Sequence, residues 1–62
     1  MSNKLIEKLK TDYMETGLSR REALNEAVET YKQIRGCIMG GEDARTVLAD
    51  YGLGDEFLED VL

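Results

Sequence analysis

A chain of 62 residues has room for one domain, and little room for both a core and a typical pocket of about 300–1,000 Å³. With one cysteine and no histidine, it has neither an internal disulfide nor the Cys/His ligand set of a tetrahedral zinc site, two usual supports of so small a fold. Its net charge of −5 disfavours unassisted affinity for DNA or anionic membranes, while a 42% hydrophobic share is too high for simple disorder.

Leu5, Ile6, Leu9 and Tyr13 recur at helical spacing and predict a first helix over about residues 3–16, closed by Gly17 in the left-handed conformation. Glu7–Lys10 and Lys8–Asp12 are opposite-charge pairs three and four residues apart, each worth a few tenths of a kcal/mol. The second helix, about 20–38, opens on the capping box Ser19-Arg20-Arg21-Glu22, with Leu18 placed to staple onto Ala23. Leu24, Ala27, Val28, Tyr31, Ile34 and Ile38 are its expected core stripe, opposite Glu22, Glu26, Glu29 and Gln33. Arg35 falls within that stripe, so it must snorkel, pair with Asp12 or Asp50, or meet a second chain. Gly36 weakens the last turn and Gly40–Gly41 ends it.

The third helix is expected over about 42–51, with Glu42 and Asp43 in a first turn where the macrodipole favours acids. Ala44, Val47, Leu48 and Tyr51 form its apolar face, and Gly52 closes it. A fourth, about 55–62, buries Phe57, Leu58, Val61 and Leu62, and Leu53 can pack on Leu58 around Gly54. No segment alternates with period two, so no strand is predicted. The fold class is all-α: one domain, 1–62, in which a helical hairpin precedes a helix-turn-helix-like C-terminal pair. Leu24, Val28, Tyr31, Leu48 and Leu58 are the expected centre of its core.

The start of the chain mixes Lys4, Lys8, Lys10 and Glu7 and gives no secretory signal, and no run approaches the roughly 20 apolar residues of a membrane span. With a lone thiol, the cytoplasm is the expected location. No catalytic, cofactor-binding or metal-ligating residue stands out. Histidine is missing, and Cys37, with Arg35 near enough to lower its pKa, has no imidazole to activate it and lies off the apolar stripe. The expectation is a protein without enzymatic activity.

Val47, Leu48, Tyr51, Gly52, Leu53, Leu58 and Val61 have the spacing of a DNA-binding helix-turn-helix. The second helix of that pair carries Asp55, Glu56, Glu59 and Asp60 and no base, which opposes a phosphate backbone. Charge is segregated along the chain: residues 1–35 hold seven bases and six acids, residues 36–62 one base and seven acids. Arg20 and Arg21 at the start of the second helix, and Glu59 and Asp60 at the end of the fourth, oppose the macrodipole. Arg20, Arg21, Arg35, Asp55, Glu56, Glu59 and Asp60 are therefore the candidate partner-binding residues.

These features point to a small acidic protein-interaction module, an adaptor or regulator that binds a basic surface on a larger protein or a second copy of itself. Alternatives are a nucleic-acid mimic that inhibits a nucleic-acid-binding protein, and a helix-turn-helix DNA binder. An apolar patch of Met14, Ile38 and Met39 suggests a two-fold dimer that tightens as salt screens the like charges.

Overall fold

The computed structural model describes residues 3–62. Four α-helices follow one another: α1 (Lys4–Glu15), α2 (Arg20–Met39), α3 (Ala44–Asp50) and α4 (Leu58–Val61), the last preceded by a 3-10 turn, Asp55–Phe57. No strand occurs among the described residues, and the all-α class is the one the hydrophobic spacing predicts. Two boundaries differ. The third helix starts at Ala44, because Asp43 stays extended and its Oδ2 accepts from the Thr46 amide at 3.1 Å. Asp43 is thus the N-cap, and Glu42 stands outside the helix. The C-terminal segment is not one α-helix over 55–62, because Gly54 has no side chain to cap it. The Phe57 amide instead turns back to the Gly54 carbonyl at 3.3 Å, as in a 3-10 turn.

One corner is used three times. Gly17, Gly41 and Gly52 follow α1, α2 and α3 at φ of +105°, +106° and +74°, where a Cβ would be strained. Each glycine amide reaches back to a carbonyl of the last turn: Gly17 to Met14 at 3.0 Å, Gly41 to Ile38 at 3.0 Å and Gly52 to Ala49 at 2.9 Å. The next amide reaches one carbonyl further: Leu18 to Tyr13 at 3.4 Å, Glu42 to Cys37 at 3.1 Å and Leu53 to Leu48 at 2.8 Å. These are the paired bonds of a Schellman motif. The residue after that, Ser19, Asp43 or Gly54, already begins the next helical element. At Ser19 the expected capping box is complete: the Glu22 amide donates to Ser19 Oγ and the Ser19 amide to Glu22 Oε1, both at 3.2 Å.

The core lies where α1 meets α2 and the C-terminal elements close over them. Leu5, Leu9, Ala27, Ile34, Val47, Leu48, Leu53, Phe57 and Val61 form one buried cluster. On α2 the buried face is Ala23, Ala27, Thr30 and Ile34, a row at i, i+4, i+7 and i+11. The expected stripe is rotated away from it. Leu24 is 42% exposed, and Val28, Tyr31 and Leu58 are only half-buried, while Leu48 is fully buried as expected. Small side chains at Ala23 and Ala27 let the α1 backbone approach, and the bulkier Leu24 row is displaced to the flank. Thr30, the one buried polar residue among those described, is satisfied by the Tyr13 hydroxyl at 2.8 Å.

Leu48→Ala is expected to cost about 2–5 kcal/mol, most of the roughly 3–5 kcal/mol available to a core of this size. By circular dichroism at 25 °C that variant should be largely unfolded. Leu24→Ala should change stability by only about 0.5 kcal/mol, and the pair of melts checks which row of α2 faces the core. Hydrogen bonding from the Ser19 backbone, and then from its side chain, holds the Glu22 carboxyl below its ordinary value. Its stabilisation is therefore complete above the ordinary glutamate range and lost as pH falls through the lowered value. The fall in Tm on acidification should be shallower in Glu22→Gln than in the wild type.

Candidate functional site

The acids of the C-terminal half sit on α3, the 3-10 turn and α4, but they are not equivalent. Asp43 is spent on the α3 cap. Asp55 Oδ2 lies 3.7 Å from Arg45 Nε, an exposed pair that contributes little. Glu56 and Glu59 are exposed and in no ion pair among the described residues.

Asp60 has a structural role that its place in the sequence hides. Its Oδ2 accepts from the Leu5 amide at 3.1 Å, and its backbone carbonyl accepts from the Tyr31 hydroxyl at 2.6 Å. Leu5 is the second residue of α1, whose N-cap Asn3 takes the Ile6 amide at 3.1 Å. Two otherwise orphaned amides are thereby satisfied, and a carboxylate stands at the positive end of the α1 dipole. The expected conflict of Asp60 with its own helix does not arise. α4 is a single turn, so Glu59 and Asp60 stand in its first turn and the charge of Asp60 serves α1 instead.

The basic candidates are dispersed. Arg20 and Arg21 are exposed at the start of α2 and form no ion pair among the described residues. Arg35 is half-buried 15 positions further on, about 22 Å away at a rise of 1.5 Å per residue. The bridge expected from Arg35 to Asp12 or Asp50 is absent. In the antiparallel hairpin, Asp12 lies toward the turn, where Lys8 holds it at 3.1 Å, whereas Arg35 is near the far end of α2. Asp50 lies close enough to Cys37 to act on the thiol.

Cys37 is half-buried and packs against the core, not off it, because the buried face of α2 is rotated toward it. Hydrogen bonding to the Glu42 side chain pushes its thiol above the ordinary value, with burial and the charges of Glu42 and Asp50 adding to the effect. The net shift is upward, opposite to the lowering expected from Arg35. Such a thiol is a poor nucleophile at neutral pH.

No cavity opens among the described residues, and no three His, Cys, Asp or Glu side chains among them converge on a metal position. No helix among them is long and apolar enough to cross a membrane. Where a helix-turn-helix would present its recognition helix stand a 3-10 turn and one α turn, carrying Asp55, Glu56, Glu59 and Asp60. The apolar patch proposed for self-association is not one surface. Ile38 packs on the core, while Met14 and Met39 are exposed at opposite ends of the hairpin.

No family model matches the sequence, and comparison with curated proteins and with solved structures gives no match. The raised Cys37 thiol has a direct test. Alkylation by iodoacetamide should follow a pH profile with its midpoint above that of a free small-molecule thiol, and Glu42→Ala should move that midpoint down. An unmoved midpoint would show that Glu42 is not the cause.

Proposed function

We propose that this chain is a small acidic protein-interaction module without enzymatic activity, which engages a basic surface on a larger protein through the lobe formed by α3, the 3-10 turn and α4. The observation that carries this reading is the charge of that lobe. Residues 36–62 hold seven acids against Arg45 alone, and Glu56 and Glu59 are exposed on adjoining turns and in no ion pair among the described residues. An exposed single-sign field of this kind steers association and discriminates against like-charged partners. A second copy, itself at −5, is the poorer partner for the same reason. The absence of histidine and the suppressed Cys37 thiolate favour binding over turnover. The single free thiol is compatible with a reducing, cytoplasmic setting.

The test compares wild type with Glu56→Gln/Glu59→Gln in affinity capture from source lysate, read by mass spectrometry. This variant spares Asp55 and Asp60, so the Arg45 pair and the α1 cap remain. A partner with a basic surface should be retained by the wild type, depleted with the variant, and weakened as salt rises. The matched control Glu26→Gln/Glu29→Gln, on the far face of α2, should retain it. Equal retention by all three proteins defeats the proposal. A retained nucleic-acid-binding protein that DNA displaces would identify the module as a mimic.

A further inference from the structure

The segment 55–62 has too little helix to be ordered by itself: a three-residue 3-10 turn and four residues of α-helix, against the dozen or more an isolated helix needs. Its shape therefore exists only while it is docked. Phe57 and Val61 are buried in the shared core, and beyond them two hydrogen bonds at one residue fasten the segment. The Tyr31 hydroxyl of α2 holds the Asp60 carbonyl, and the Asp60 carboxylate holds the Leu5 amide of α1. Leu53, before the segment, stays buried, whereas Gly54 is exposed, has no side chain and caps the segment only through its carbonyl, which accepts from the Phe57 amide. Gly54 is thus the natural hinge.

We infer that residues 55–62 form a releasable clasp that opens about Gly54 as one unit with the first turn of α1. When the clasp lifts, Asp60 leaves with it. The Leu5 amide then loses its acceptor, and the positive end of α1 loses its only described inter-helix carboxylate. Fraying at residues 4–6 and at 58–62 is therefore one event, although 55 residues separate Leu5 from Asp60. Glu56 and Glu59 ride on the clasp, so a partner bound to its closed form would also steady the start of α1; that consequence alone rests on the interaction reading above.

Amide hydrogen exchange by NMR on the full chain, without any partner, tests the clasp. In the wild type, the Leu5 and Leu62 amides should report the same opening, faster than that of Ile34 within α2. Tyr31→Phe removes the bond to the Asp60 carbonyl and touches no hydrogen bond of α1. It should speed exchange at Leu62 and Leu5 together, by about fivefold for one lost hydrogen bond. Acceleration at Leu62 with Leu5 unchanged overturns the inference. If Tyr31→Phe speeds Ile34 equally, the variant has lost global stability, and the wild type decides under low denaturant. Leu5 and Leu62 merging on one isotherm below that of Ile34 supports the clasp, and separate isotherms refute it.

Discussion

The contact of α1 with a seam of small residues on α2 sets the position of everything else. Ala23 and Ala27 contribute no more than a methyl group each, which suits close approach of α1, and Leu5 and Leu9 pack in one buried cluster with Ala27 and Ile34. Once Ala23, Ala27, Thr30 and Ile34 face inward, helical geometry carries Leu24, Val28 and Tyr31 to the flank. There Tyr31 is no longer a core side chain but a post with its hydroxyl free to hold the Asp60 carbonyl. The docking of the C-terminal elements is in this sense downstream of two alanines.

Local signals in the sequence were legible because the physics behind them is local. The Ser19–Glu22 box, the glycine stops and the 3.6-residue spacing each involve residues within one or two turns, and they give the all-α class and the α1–α2 hairpin, though not the start of α3 or the 3-10 turn before α4. The rotation of α2 was not legible, because weighting by bulk favours Leu24 over Ala23, whereas close packing favours the smaller residue. The part Asp60 plays was not legible either: its donor lies 55 residues away, and no pattern around Asp60 announces it. The Asp43 cap had a local signal, an acid three positions before Thr46, but charge patterning alone does not separate an N-cap acid from a first-turn acid.

An acid-rich sequence is not the same thing as an acidic surface. Of the four carboxylates in the C-terminal segment, Asp60 is occupied by α1 and Asp55 leans toward Arg45, which leaves Glu56 and Glu59 facing solvent unpaired among the described residues. Neutralising all four together would confound a lost partner with a lost helix cap. The basic residues divide similarly, with Arg20 and Arg21 at the hairpin end and Arg35 far along α2, so they form no single patch.

The repeated glycine corner also bears on how the chain finds its fold. Each corner is encoded within three consecutive residues and turns one helix directly into the next, so neighbouring elements are brought together with very little loop to close. Most of the topology is thus assembled from contacts close in sequence, and low contact order places folding in the microsecond-to-millisecond class. The exception is the union of the two chain ends through Asp60 and Leu5, the longest loop in the molecule. The α1–α2 hairpin therefore closes on little loop entropy, and the meeting of Asp60 with Leu5 on the most.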